Sequence, residues 1–165
     1  AGNDTVDGGG GNDLIYGQDG NDVIEGGAGV DEVIGQAGND VLTGSGFSDL
    51  IFGGAGDDFI NGGFGFDRVN GGAGADRFFH VGVQGHGSDW IQDFAEEDKL
   101  VFGGAASIDQ FQVSAALTGG AGDAAVAEAF VIYRPTGQIL WALVDGASQD
   151  ALTLRIGAQE FDLMI

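Results

Sequence analysis

The chain has 165 residues and a formal net charge of −21, with 26 acidic side chains against five basic ones. Phosphate contacts need a Lys/Arg footprint, so nucleic acid is excluded as a partner and anionic membranes are disfavoured. Cysteine is absent, which removes disulfides, thiolate chemistry and Cys-type zinc sites. Glycine is abundant at 34 residues, yet 43% hydrophobic content and 12 Phe argue for a packed interior rather than a low-complexity linker. No stretch is long and apolar enough to span a membrane. The first residues, AGNDTVDGG, lack the basic and apolar regions of a signal peptide and lack a Met, so the chain is expected to begin inside a longer protein.

From the N-terminus the chain is written in nines: AGNDTVD, GGGGNDLIY, GQDGNDVIE, GGAGVDEVI, GQAGNDVLT, GSGFSDLIF, GGAGDDFIN, GGFGFDRVN, GGAGADRFF. The sixth position is always aspartate: Asp4, Asp13, Asp22, Asp31, Asp40, Asp49, Asp58, Asp67 and Asp76. The eighth is always apolar, from Val6 and Ile15 through to Val69 and Phe78. The first is glycine wherever it is present, as at Gly8, Gly17, Gly26, Gly35, Gly53, Gly62 and Gly71. The fourth is glycine at Gly2, Gly11, Gly20, Gly29, Gly38, Gly56, Gly65 and Gly74, with Phe47 the exception.

The period dictates a structure. Positions 1–6 read as a tight glycine loop with carbonyls turned inward, and positions 7–9 as a three-residue strand. Side chains alternate along a strand, so position 8 faces one way and positions 7 and 9 the other. One hydrophobe per strand fills only a thin interior, so the units must stack, two to a flattened coil. Loops of alternate units then lie above one another on two edges. Each loop offers a carboxylate and several carbonyls. Such an all-oxygen donor set suits Ca²⁺ better than Mg²⁺ or zinc.

The run G-G-x-G-x-D-x-U-x over residues 1–79 resembles the calcium-binding nonapeptide block of the RTX (repeats-in-toxin) family. The resemblance implies an all-β fold, a right-handed parallel β-roll, with Ca²⁺ held between alternate loops. Carried over by position, one edge uses Asp4, Asp22, Asp40, Asp58 and Asp76, and the other Asp13, Asp31, Asp49 and Asp67. The gaps along both edges give about seven ions. Backbone oxygens near positions 1, 3 and 4 complete the shells, together with position 5 at Asn3, Asn12, Asn21, Asn39 and Asp57. The unit GSGFSDLIF places Phe47 and Ser48 where glycine and Asn/Asp are usual, and is expected to distort the sites beside Asp49. Residues 1–79 carry 14 acidic and two basic side chains. Without metal their carboxylates repel across each gap, so binding and folding are expected to be coupled.

Residues 80–165 break the register and read as a β-rich cap. Asp89-Trp90-Ile91 re-creates the D-x-U triplet as though four residues were inserted, which makes Asp89 a further candidate ligand. Asp93 and Asp98 read either as solvated turn residues or as ligands. Alternating segments follow at Phe111–Ser114, Phe130–Arg134, Gln138–Val144 and Leu152–Ile156, with RPTG as a hairpin turn between two of them. DWIQDF, YRPTGQILWALVDG and the terminal EFDLMI resemble the C-terminal region of proteins exported by type I secretion. That likeness implies a secreted, extracellular protein, recognition by the secretion machinery through the C-terminus, and an upstream domain that the roll stabilises.

No catalytic motif is present: H-E-x-x-H and G-x-S-x-G are both missing. His80 and His86 are expected at the surface. A carbohydrate-binding accessory module of a polysaccharide-modifying enzyme is the alternative function. Ice binding would need ranks of Thr, and the outward positions offer only Thr5 and Thr43. Outward apolar residues form two ranks. Leu14, Tyr16, Ile34, Leu50 and Phe52 lie on one sheet, and Val23, Val41, Phe59 and Phe79 on the other. Such ranks suit a docking surface, covered by the cap, an upstream domain or a second copy of the chain.

Overall fold

A computed structural model describes residues 1–116, 122, 125–144 and 149–164. Nine strands come from the repeats: β1 (Thr5–Asp7), β2 (Leu14–Asp19), β3 (Val23–Ala28), β4 (Glu32–Ala37), β5 (Val41–Gly46), β6 (Leu50–Ala55), β7 (Phe59–Phe64), β8 (Arg68–Ala73) and β9 (Arg77–His80). Odd-numbered strands stack in one sheet and even-numbered strands in the other, and every pairing is parallel. The register is constant: Ile15 pairs with Val33, Val33 with Ile51 and Ile51 with Val69 in one sheet, and Ile24 with Leu42 and Leu42 with Ile60 in the other. This is the parallel β-roll that the nine-residue period implies.

The position-8 residues form one file through the interior. Ile24, Val33, Leu42, Ile51, Ile60, Val69 and Phe78 are all buried, and Ile15 nearly so at the open end. Burying such a side chain contributes roughly 1.5–3 kcal/mol, so the file is the main apolar support of the roll. The strands are longer than expected, however: β2 to β8 each have six residues rather than three. Pairing continues through positions 2 and 3 of the next unit, as with Gln18 on Gln36 and Asp19 on Ala37. Alternation then turns a second residue inward, the position-1 glycine. Gly17, Gly26, Gly35, Gly44, Gly53, Gly62 and Gly71 are all buried.

The sheets run on past residue 79. β10 (Asp89–Ile91) lies parallel on β8, and β11 (Lys99–Phe102) parallel on β9. Leu100 pairs with Phe78 and Ile91 with Val69, so the inward file gains another coil at a spacing of 22 residues. After a single 3-10 turn at Ile108–Gln110 come β12 (Phe111–Ala116), β13 (Glu128–Tyr133), β14 (Gln138–Leu143), β15 (Thr153–Ile156) and β16 (Gln159–Asp162). β14 pairs parallel with β10 and β15 with β11, so each sheet reaches eight strands. β13 and β14 form the expected antiparallel hairpin, with Tyr133 opposite Gln138. β16 was not foreseen; it folds back on β15 through Gly157. Asp145, Gly146 and Ile165, which belong to the segments resembling an export region, lie outside the described residues.

His80 and His86 are buried, contrary to expectation, with 0% and 5% exposure. The four-residue insertion makes the loop 81–88 long enough to fold over the end of β9, and Gly87 bridges back to Gly65. The Gly82 N–H donates to His80 Nδ1 at 2.8 Å, which leaves the imidazole proton on Nε2. That nitrogen faces the Gly87 carbonyl and His86 Nδ1, both at 3.3 Å. Burial and the neighbouring His86 hold His80 down at about 4, so the ring is neutral near pH 7. Trp141 packs against it edge-on. Local sequence carries no sign of this cover, because the strand that closes it, β14, arrives about 60 residues later along the chain.

The file of inward residues makes a direct prediction. Ile51→Ala should cost about 2–5 kcal/mol. Leu14→Ala, at an outward position 57% exposed, should stay within about 0.5 kcal/mol. Thermal melts of the two variants in Ca²⁺ read the difference; equal losses would mean that the interior is not where the roll is held.

Candidate metal centre

The loops owe their path to two positions. Position 2 has positive φ in every unit that contains it, including Gln18 (77°), Gln36 (84°) and Ser45 (83°). Position 4 does too, and at Phe47 the value is 82°. Left-handed backbone disfavours a side chain by roughly 1–2 kcal/mol, so these four residues carry strain that glycine elsewhere avoids. Position 1 is glycine for another reason. A Cβ on Gly17 would lie 2.5 Å from Asp22 Oδ2 and 2.8 Å from the Gly35 carbonyl oxygen. The same cradle recurs at Gly26, Gly35, Gly44 and Gly53, each facing its own unit's aspartate and the carbonyl one coil on. The space that a methyl group would fill is walled by oxygen.

The aspartates form two ladders. On one edge Asp4, Asp22 and Asp40 donate their N–H groups to Oδ1 of Asp22, Asp40 and Asp58, all at 2.8 Å. Asp58 continues this to Asp76 at 2.9 Å. On the other edge Asp13, Asp31 and Asp49 donate to Asp31, Asp49 and Asp67. Each Oδ1 thus clamps the coil before it. Each Oδ2 is buried and finds no hydrogen-bond donor at Asp13, Asp22, Asp31, Asp40, Asp49, Asp58, Asp67 and Asp76. Asp4, in the terminal coil, is exposed.

A second ladder runs the opposite way. Asn3 and Asn21 accept through Oδ1 from the N–H of Asn21 and Asn39, Asn39 from Asp57, and Asp57 from Ala75. On the other edge Asn12 accepts from Val30, and Ser48 Oγ from Phe66. Val30, Phe66 and Ala75 supply the N–H and nothing more. The irregular unit keeps its place: Asp49 is buried with its clamps intact, and Phe47 takes up the backbone conformation of the glycine it replaces.

The electrostatics are those of carboxylates crowded out of water. Burial pushes Asp58 up to about 7, against the pull of the Asp40 N–H, with repulsion from Asp76 and Asp40 adding to the rise. Burial likewise lifts Asp49 to about 6 and raises Asp40 and Asp76. The cap prolongs both ladders. Asp89, buried against Asp67, is raised well above the ordinary range, and its Oδ1 has no partner. Asp98 receives the Asp76 N–H at 2.9 Å, as a position-6 aspartate would, but its Oδ2 is satisfied by the Ala95 N–H at 2.8 Å. Asp93 seats both oxygens on the N–H groups of Gly71 and Gly72. Neither Asp93 nor Asp98 is therefore a solvated turn residue. Their role as clamps is missed in the sequence because the 22-residue spacing hides the repeat.

An unpartnered anionic oxygen, buried beside a carbonyl oxygen with no donor near it, asks for a cation. The donors are oxygen only, as Ca²⁺ prefers. Among the described residues no group of three His, Cys, Asp or Glu side chains forms a conventional metal cluster, so carbonyls must supply most of any shell. No helix among the described residues is long and apolar enough to cross a membrane.

Comparison with known proteins gives three results. No curated protein matches the chain. The solution structure of the AlgE6R3 subunit from the Azotobacter vinelandii mannuronan C5-epimerase overlaps 92% of this chain and 88% of its own, at 21% identity and a TM-score of 0.47. The profile of the RTX calcium-binding nonapeptide repeat matches residues 1–33, 34–69 and 58–80. That repeat binds calcium as a structural element and is not catalytic. By its nine-residue repeats, its β-roll and its oxygen-lined loops, the segment from residue 1 to residue 80 is a block of RTX calcium-binding nonapeptide repeats.

Proposed function

We propose that this chain is a calcium-dependent folding module of a secreted protein, disordered where Ca²⁺ is scarce and assembled where it is abundant, which steadies a domain joined upstream. The buried, unpartnered Oδ2 of each internal position-6 aspartate carries the reading. Paired with a divalent ion these oxygens become the strongest contacts in the roll. Left alone they oppose folding through desolvation and mutual repulsion. The ions lie between successive aspartates, about seven in number along Asp4, Asp22, Asp40, Asp58 and Asp76 on one edge and Asp13, Asp31, Asp49 and Asp67 on the other. Asp89 offers one place more. Backbone oxygens at positions 1, 3 and 4 fill the shells. Extracellular sites of this kind bind at about 10⁻⁴–10⁻³ M, so the module stays empty in a cell interior and fills outside. The C-terminal segment serves export by type I secretion.

Far-UV circular dichroism of chelated protein should show little strand signal and gain it cooperatively as Ca²⁺ is added; a fully formed roll in chelator would end the proposal. Asp58→Asn keeps an acceptor for the Asp40 N–H but loses the charge, and should raise the Ca²⁺ midpoint about tenfold. Asp109→Asn, in the exposed 3-10 turn, should leave it unchanged.

The shifted carboxyls also fix a pH dependence for the metal-free chain. Their folded pKa values, about 6 for Asp49 and about 7 for Asp58, exceed the ordinary 3.8. The folded form therefore binds more protons, and its stability falls as pH rises between about 4 and 7. Chelated protein should accordingly show more residual strand signal at pH 4.5 than at pH 7.5, read by far-UV circular dichroism at the two pH values. With Ca²⁺ present the order reverses, because protons compete for the same oxygens.

A further inference from the structure

Basic residues are scarce in this chain, and their placement is uneven. Three of the five, Arg77 on β9, Lys99 on β11 and Arg155 on β15, stand on adjacent strands of one sheet. Lys99 is neutralised by Glu160 at 2.7 Å. Arg77 and Arg155 make no such contact: among the described residues neither has a carboxylate in ion-pair range, although Asp76 precedes Arg77 and Glu160, held by Lys99, stands opposite Arg155 on β16. Arg155 donates through Nε to the Gly157 carbonyl at 3.0 Å, which fixes its stem and leaves the terminal nitrogens without a hydrogen-bond acceptor among the described residues. Arg77 holds its guanidinium 6.0 Å from the centre of the Phe59 ring.

Both arginines line the same groove, a space of about 360 Å³ on the outer face of this sheet. Its walls are Phe59, Phe79 and Val101, with the two rings tilted at 42° and their centres 5.6 Å apart. Gly103 closes one side. A Cβ there would lie 2.4 Å from the Phe79 ring, so any larger residue would displace the aromatic wall. The groove contains no neutral hydrogen-bonding side chain. A neutral sugar would find donors in the two guanidinium groups but no side-chain acceptor for its own hydroxyl protons, at a cost for each group left unpaired. An extended peptide would find no free strand edge, since β9 and β11 are paired on both sides. What the lining does offer is an apolar bed with guanidinium groups at its corners, the combination that fits a flat apolar body bearing an anionic group.

We propose that this groove binds a small amphipathic organic anion, its carboxylate on Arg77 and Arg155 and its apolar body against Phe59 and Phe79. Arg77 adjoins the ladder residue Asp76 while Arg155 stands clear of the ladders, and the proposal does not rest on the calcium reading. It needs only the folded roll, in whichever buffer circular dichroism shows it.

The test is titration of the folded protein with 2-naphthoate, and with neutral 2-naphthamide beside it, by calorimetry and by amide chemical shifts. The expected result is naphthoate binding with shifts at Phe59, Phe79 and Val101. Arg77→Gln and Arg155→Gln should each weaken it about tenfold. Naphthamide should bind more weakly and be indifferent to either substitution. Arg134→Gln, in the distant hairpin turn, should change nothing. Arg155 lies two strands from Asp76, so its variant keeps the test valid if Arg77→Gln disturbs the neighbouring metal loop. Equal binding of acid and amide, equal binding by all variants, shifts that map elsewhere, or no binding of naphthoate would each overturn the proposal.

Discussion

The roll depends on one unfavourable arrangement, a column of buried carboxylates in which, through the internal nine-residue units, Oδ1 is satisfied and Oδ2 is not. The satisfied oxygen acts as a clamp: by accepting the N–H of the preceding coil it sets the spacing of the coils as firmly as the strand pairing does. The other oxygen turns that clamp into a condition. Desolvation and the charges above and below raise the carboxyls, so a bare roll is poorest in stability at the pH where the aspartates are ionised. Hydrophobic burial does not escape this constraint, because the interior file is only one side chain wide. A fold with so thin a core leaves much of its stability to whatever meets the free oxygens.

The glycines follow from the same constraint rather than from flexibility in general. Position 1 must lack a Cβ because an aspartate oxygen and a carbonyl occupy that space. Positions 2 and 4 need left-handed backbone, and there the chain tolerates exceptions: Gln18, Gln36, Ser45 and Phe47 adopt it without loss of register. A steric requirement set by packed oxygen is absolute in this roll, whereas a conformational preference of roughly 1–2 kcal/mol is negotiable. This is why position 1 admits no substitute in the sequence while position 2 admits three.

Much of this was legible in the sequence. The aspartate and hydrophobe at fixed places in a nine-residue period gave the stacked coils, the inward file from Ile15 to Phe78 and the two edges. Alternation gave the outward ranks, of which Leu14, Tyr16, Val23 and Val41 are indeed exposed. What stayed hidden was long-range. The six-residue strands arise from pairing between coils, which extends order into residues that look like loop. The burial of His80 and His86 depends on β14, and the clamping by Asp93 and Asp98 on an insertion that shifts the phase without altering the geometry. The groove between Arg77 and Arg155 joins two residues nearly 80 positions apart, which no local pattern could bring together.

The unchanging offset between coils has an architectural outcome. Every internal coil meets its neighbours through the same clamps above and below, so a whole turn such as residues 35–52 begins and ends on equivalent atoms. Excising or duplicating one full turn would leave the joints on either side chemically identical, whereas removing nine residues would swap the two faces of everything downstream. The length of this roll is thus adjustable only in whole turns, and evolution or an engineer could tune its reach like a telescoping rod without redesigning either end.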